Sequence, residues 1–418
     1  MKIIHISSIY CHPAFSGAEL HIKELSEGLV SRGHEVTVLT ANVHSPNDLS
    51  SGISGKLSDI DVINGVKVVR FPLDGGLLGS VLKSCLHIRG GCRSLNLIFG
   101  KDAIELLTTR PLLVDLISYL ARAQGDIVAV IGWDRSPAYY TYLARKLKRF
   151  TFVGIPLFHI ADTWSQSTIY KRMLAACDAV LANTLHEADF IKERTKTRVE
   201  VGGVGVHPRL FECRNGGEIR ARHRLGGLPV VGFVGRQTAG KGVLKLLDAM
   251  RIVWKWNDEV RLVLAGPRPS QHYHKAKAVI EGFTQFERER IVRIYDFPES
   301  DKASIFDAFD VFVLPSIEES FGIAYLEAWI CRKPVIGARI GSTQCVINEG
   351  VDGLLVDPND PQDIARAIIE LLSDSNKRER MGRSGYAKTI AHFTWDKVTD
   401  KVEELYLELL AAKEAGRH

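Results

Sequence analysis

The sequence lacks the cysteine arrangements that usually carry chemistry. Its seven cysteines (Cys11, Cys85, Cys92, Cys177, Cys213, Cys331 and Cys345) are an odd set without a C-x-x-C pair. That argues against a disulfide framework and a zinc site, and it favours a reducing cytoplasm. Long apolar runs are missing as well: the best candidates are broken by Asp115, Arg122, His159 or Asp162 before reaching the roughly 18 residues that a spanning helix needs, so any membrane contact is expected to be peripheral, at the inner face of the cytoplasmic membrane. A charge excess of one sign is absent too, since 54 basic and 49 acidic residues leave only +5, spread along the chain, and nucleic acid is not an expected partner. Met1 to Ser8 runs straight into a strand-like segment with no leader pattern, so export is not expected.

What is present is 418 residues at 45% hydrophobic and 25% charged, the balance of a soluble protein with two or three domains, each large enough to bury a core. Short β-branched runs at Lys2 to Ser7, Val36 to Thr40, Val66 to Phe71, Ile127 to Ile131, Phe152 to Ile155 and Ala179 to Ala182 alternate with helical patterns, as buried parallel strands do. Between the first two, Leu20, Ile22, Leu25, Leu29 and Val30 recur at helical spacing before Gly33, a C-cap residue. The second half repeats this grammar at Val230 to Val234, Arg261 to Ala265, Val292 to Tyr295, Val311 to Leu314, Val335 to Gly337 and Leu354 to Val356. Two doubly wound α/β domains follow, with residues 212–228, rich in Gly and Arg, read as the linker between domains 1–211 and 229–392. Asp360 and Pro361 open a further helix, and 393–418 is an amphipathic helix whose Val398, Val402, Leu405 and Leu409 need a surface to bury. The segments Val43 to Asp61 and Gly75 to Lys101 interrupt the first domain, the former as a polar loop and the latter as an insertion or an interfacial segment for a lipid-linked acceptor.

Two segments of the second half carry chemistry. Glu319-Ser-Phe-Gly-Ile-Ala-Tyr-Leu-Glu327 follows the strand Val311 to Leu314, and a helix starting near Gly322 puts both carboxylates on one crevice with free amides between them. Gly235-Arg-Gln-Thr-Ala-Gly-Lys-Gly242 follows Val230 to Val234 and sets Arg236 and Lys241 at another strand end, where two cations suit a diphosphate and can replace a metal. The same octapeptide starts like a P-loop, which makes an NTPase the rival reading, yet Gly242 stands where that loop needs Ser or Thr for magnesium. Asp59-Ile-Asp61 has the spacing of a metal clamp but reads better as a turn, and His272-Tyr-His274 lacks a third ligand, so no metal is expected.

Taken together these segments resemble the glycosyl transferases group 1, or family 4, the retaining GT-B glycosyltransferases. The resemblance rests on Ser16-Gly-Ala-Glu19, Arg32 to Thr40 and Ala176 to Val180 in the first half, and on Val234 to Gly242, Leu314-Pro-Ser316, Glu319 to Glu327, Lys333-Pro-Val335 and Gly350 to Pro358 in the second. It implies two Rossmann-like domains with an interdomain cleft, the last helix crossing back to the first domain, and metal-independent transfer of a sugar from a nucleoside diphosphate. The acceptor would be a carbohydrate, a lipid-linked molecule or a small molecule, as in polysaccharide, glycolipid or glycoconjugate biosynthesis. By position, Glu327 matches the carboxylate that grips the donor ribose and Glu319 the one that contacts a sugar hydroxyl. Phe321, Gly322 and Ile323 match the amides for sugar and phosphate, Arg236 and Lys241 the pair that neutralises the diphosphate, Gly17 the loop glycine beside it, and His159 the histidine facing the donor sugar. Three stretches depart from the family pattern: Gly341-Ser-Thr-Gln-Cys345, Val204-Gly-Val-His207, and Tyr295-Asp-Phe297 near the base. A catalytically inactive GT-B binding partner is the second alternative.

Overall fold

The computed structural model describes residues 1–10, 17–45, 48–49, 55, 57–73, 113, 115–133, 136–157, 160, 163–268 and 274–416. They form two compact units, Met1–Gly203 with Val398–His418, and Val204–Lys397.

The first unit contains, in chain order, β1 (Lys2–Ile6), α1 (Gly17–Ser31), β2 (Glu35–Ala41), β3 (Ile60–Ile63), β4 (Val66–Phe71), α2 (Asp115–Arg122), β5 (Ile127–Ile131), α3 (Pro137–Leu147), β6 (Thr151–Ile155), α4 (Thr168–Ala175), β7 (Ala179–Ala182), α5 (Leu185–Lys192) and β8 (Arg198–Val201). Its eight-stranded sheet runs β3-β4-β2-β1-β5-β6-β7-β8, and only β3 is antiparallel to its neighbour. Strand β1 shows why its sequence is apolar throughout: Ile4 and Ile6 enter one buried cluster and Ile3 the cluster on the opposite face. Gly33, in the left-handed region at φ 85°, closes α1 with its amide donating to Val30 O at 2.9 Å.

The second unit contains α6 (Gly216–Arg222), β9 (Val230–Val234), α7 (Val243–Trp256), β10 (Arg261–Gly266), α8 (His274–Glu281), α9 (Gln285–Arg288), β11 (Ile291–Tyr295), α10 (Glu299–Asp307), β12 (Val311–Leu314), α11 (Ile323–Ile330), β13 (Val335–Ala338), α12 (Gly341–Gln344), β14 (Gly353–Val356), α13 (Pro361–Ser373) and α14 (Ser375–His392). Its six strands are all parallel in the order β11-β10-β9-β12-β13-β14. Helix α15 (Trp395–Glu414) follows, and from Val398 onward it belongs to the first unit. There Val398, Val402, Leu405, Tyr406 and Leu409 are buried, the large ones each contributing about 1.5–3 kcal/mol of transfer free energy. Gly28 of α1 allows this approach, because a Cβ there would stand 2.7 Å from Thr399 Oγ1.

The structure differs from the sequence reading in two places. Residues 212–228 are not a spacer: α6 lies within them, capped by Asn215, and Ile219 and Leu225 are buried. The arginines that suggested a linker are structural clamps, since Arg220 donates to Asp310 and to the carbonyls of Gly226 and Leu228, and Arg214 pairs with Asp307. The change of unit falls earlier, between Gly203 and Val204. Asp59-Ile-Asp61 is also not simply a turn, because Ile60 begins β3, and the turn lies after it at Asn64-Gly65, both left-handed at φ 50° and 81°, which favours a tight hairpin. Of the two interrupting segments, 75–101 lies outside the described residues, as does much of 43–61. Among the described residues no helix is long and apolar enough to cross a membrane.

Under α15, His5 is fully buried, its ring 2.8 Å from Ser26 Oγ and 3.3 Å from Tyr406 OH. Burial, aided by nearby His21, pushes His5 down to about 3, and burial takes His21 down to about 4. Both values lie below the ordinary 6.5, so the unfolded chain binds protons that the folded chain refuses. Stability is therefore full above that ordinary value and falls as the pH drops below it. The thermal midpoint is expected to decrease between about pH 7 and about pH 5, and His5→Asn to make that slope shallower. A flat wild-type profile over this range would contradict the assignment.

Candidate functional site

The order of the second sheet creates the site. The chain winds from β9 outward through β10 and β11, then returns to start β12 on the other side of β9 and winds outward again through β13 and β14. Between β9 and β12 the winding reverses, and loops leaving the carboxyl ends of two such strands diverge to leave a crevice. Residues 235–242 leave β9 there and residues 315–322 leave β12, so both chemistry-bearing segments of the sequence meet at this reversal.

Glycine fixes how closely they meet. Gly242 is the N-cap of α7 at φ 73°, and a Cβ on it would lie 2.0 Å from Pro315 O. The Ile317 amide donates to Gly240 O at 3.0 Å across the same seam. Gly322, N-cap of α11 at φ 92°, is equally constrained, since a Cβ there would be 2.4 Å from the Tyr325 ring. Tyr325 anchors α11 by donating to Leu314 O at 2.7 Å, and burial drives its hydroxyl well above the usual phenol range. The helix starts without a side-chain cap, so its first amides face outward from the turn at Gly322.

With the loops held this way, Lys241 Nζ lies 2.6 Å from Glu319 Oε2, and the Glu319 side chain is only 8% exposed. Ser342 of α12 donates to the Glu319 carbonyl, so the stretch 341–345 that departs from the family pattern supports this glutamate through its backbone. Phe321 is buried with its ring edge-on to Phe393, 5.5 Å between centroids. Arg236 is exposed and has no ion pair among the described residues. Glu327, one turn into α11 and 9% exposed at its side chain, is 2.8 Å from Lys302 Nζ.

The structure thus gathers Arg236, Lys241, Glu319, Phe321, Gly322, Ile323 and Glu327 onto two touching loops and one helix start. Gly17 is placed in the other unit as the first residue of α1, and His159 lies outside the described residues. Sequence reasoning missed three residues. Lys302 on α10, three residues after Glu299, reads in one dimension as half of a solvated surface pair. Gln237 and Ser316 sit on the two site loops, both buried, and Gln237 Nε2 and Ser316 Oγ have no hydrogen-bond partner among the described residues. Both lie inside segments that carry the family resemblance, but nothing in one dimension marks their burial. As for metals, His272 lies outside the described residues, and among those described no group of three or more His, Cys, Asp or Glu is placed to hold an ion.

Residues 217–388 match the family described as Glycosyl transferases group 1. A D-inositol 3-phosphate glycosyltransferase of Corynebacterium urealyticum is 32% identical over 257 residues, covering 59% of this chain and 60% of that relative. The match thus spans less than two thirds of its length. Among solved structures, sucrose-phosphate synthase from Thermosynechococcus elongatus is similar with a TM-score of 0.73 at 22% identity, over 99% of this chain and all of that one. The Anabaena HepE protein, solved in complex with UDP-glucose, gives a TM-score of 0.73 at 17% identity over 98% of this chain and 100% of that one. At such identities the likeness carries the fold, which is the GT-B pair of Rossmann-like domains.

Gly242→Ala is expected to lower stability by at least about 2 kcal/mol, because it adds backbone strain and a clash with Pro315 that no side-chain rotation relieves. Gly33→Ala, whose Cβ would meet nothing within 4 Å, is expected to cost less. Thermal or denaturant unfolding of the two variants checks the ranking, and equal losses would refute it.

Proposed function

Because residues 217–388 match the glycosyl transferases group 1, we propose that this protein is a retaining glycosyltransferase that moves a sugar from a nucleoside diphosphate to an acceptor without a metal ion. The observation that carries the proposal is the pairing of two nearly buried carboxylates, Glu319 and Glu327, on either side of an uncapped helix start, with Arg236 and Lys241 on the touching loop. A nucleoside diphosphate sugar offers what each of these groups needs. Its ribose and sugar hydroxyls are donors for Glu327 and Glu319, and its phosphates are acceptors for the amides of Phe321, Gly322 and Ile323 and for the two cations.

The chemistry is loss of a diphosphate from the anomeric carbon through an oxocarbenium-like state. Negative charge builds on the departing phosphate, and Arg236, Lys241 and the helix amides are placed to take it up. A single charge pair at about 4 Å is worth about 4 kcal/mol at an effective dielectric near 20, before desolvation is subtracted. Lys241 is already bound to Glu319, so an arriving phosphate shares this ammonium, while the exposed Arg236 is uncommitted and meets it first. The departing phosphate accepts the acceptor's proton on the face it leaves, which retains the anomeric configuration and asks no enzyme carboxylate to act as base. The family resemblance further suggests Gly17 for the diphosphate and His159 for the donor sugar. The acceptor is a carbohydrate, a lipid-linked molecule or a small molecule, as in polysaccharide, glycolipid or glycoconjugate synthesis.

Thermal stabilisation of the purified protein by UDP-, GDP- and ADP-sugars in EDTA tests the proposal, since a ligand at 100 times its Kd adds about 2.7 kcal/mol. One sugar nucleotide is expected to stabilise the wild type and to fail with Glu327→Ala. In parallel wells with magnesium in place of EDTA, stabilisation by ATP alone would overturn the reading in favour of an NTPase. In turnover assays Arg236→Ala is expected to lower kcat by about 10²–10³ with a smaller change in KM, because it acts on charge that develops in the transition state.

A further inference from the structure

Lys302 belongs to none of the motifs that mark the site, yet it is the partner on which Glu327 depends. Its ammonium is 2.8 Å from Glu327 Oε1 and 2.8 Å from Glu299 Oε1, bridging α11 to the first turn of α10. The two carboxylates have different needs. The Glu299 side chain is 69% exposed and is stabilised by water whether or not the lysine is there. Glu327 is 9% exposed, and among the described residues its carboxylate has no partner other than Lys302. A carboxylate so placed without a counter-charge would turn toward solvent.

The state of that carboxylate decides what it can bind. Ionised, it only accepts hydrogen bonds, and with Oε1 held by the ammonium, Oε2 remains for a ligand hydroxyl. Rotated away, it loses this capacity. We propose that Lys302 is a positioning residue for nucleotide recognition, holding the Glu327 carboxylate in the orientation in which it can accept a ribose hydroxyl. This rests on the reading of Glu327 as the ribose carboxylate. The lysine suits this role because its two carboxylate partners favour its charged form. Burial alone would lower its pKa, but Glu327 and Glu299 together hold it above the usual lysine range. The neighbouring charges do not compete for Glu327. Lys333 and Arg214 are engaged with Asp307, and Lys388 of α14 with Asp352.

The test is titration calorimetry of the full chain with UDP and 2′-deoxy-UDP, and with GDP and 2′-deoxy-GDP, on wild type, Lys302→Met, Lys302→Arg and Glu299→Gln. Wild type is expected to prefer the ribonucleotide of one pair about tenfold, worth about 1.4 kcal/mol. Lys302→Met is expected to weaken that ribonucleotide about tenfold while leaving the deoxynucleotide nearly unchanged, so that the preference collapses. Lys302→Arg should restore most of the preference, and Glu299→Gln should keep it within about twofold of wild type, because the exposed carboxylate is not the one being positioned. If Lys302→Met keeps the wild-type preference, the proposal is wrong. If it weakens both nucleotides equally and Lys302→Arg does not recover either, the lysine is merely structural and the proposal is again overturned. A wild type that binds none of the four nucleotides would instead overturn the underlying reading of the site.

Discussion

Everything at the candidate site depends on the close approach of two backbones at Gly242 and Pro315. A carbonyl oxygen lies where any other residue at position 242 would carry its Cβ, so the loop after β9 and the loop after β12 rest directly on each other. That contact brings Lys241 within 2.6 Å of Glu319, and it starts α7 where the strand-to-helix turn is tightest. The sheet supplies the setting by making β9 and β12 neighbours, and glycine supplies the last ångström.

Once the loops touch, electrostatics organises the side chains. Two carboxylates, 8% and 9% exposed, would be costly to keep ionised alone, and each has a lysine within hydrogen-bonding distance. Each of these carboxylates therefore has a counter-charge before a ligand arrives, while Arg236, exposed on the loop after β9, forms no ion pair among the described residues. A polyanionic ligand completes this arrangement better than a neutral one, which is the physical reason for assigning the diphosphate to it. The buried Gln237 amide nitrogen and Ser316 hydroxyl, on the same two loops, have no hydrogen-bond partner among the described residues.

The first unit spends its buried polar groups differently. His5 links Ser26 of α1 to Tyr406 of α15, and at the helix surface Arg32 and His34 reach Asp400 and Glu403. These contacts fasten the last helix where Val402, Leu405 and Leu409 are already buried, so apolar burial sets the face of the helix and the polar contacts set its register.

Much of this was legible in one dimension. Strands buried on both faces must be apolar throughout, so β1, β9 and β12 announce themselves, and the strand-end motifs announce the loops that follow them. Local chemistry was legible too: Gly33 as a cap, Asp360 as an N-cap, and a helix starting at Gly322. Composition misled where arginine clamps in residues 212–228 resembled a linker, because a clamp differs from a solvated charge only by its distant partner, Asp307 or Asp310. The same limit hid Lys302, whose nearest neighbour in sequence terms is Glu299 and whose important one is Glu327, and it hid Gln237 and Ser316, whose burial no local pattern encodes. The sequence by itself determined the elements, the two-sheet architecture and the identity of the charged residues at the strand ends, since propensity, periodicity and turn chemistry act over a few residues. Only the tertiary structure decided which charge pairs with which and which polar groups are shut away from water, because those depend on residues brought together by the winding of the sheet and on distances of a few ångströms.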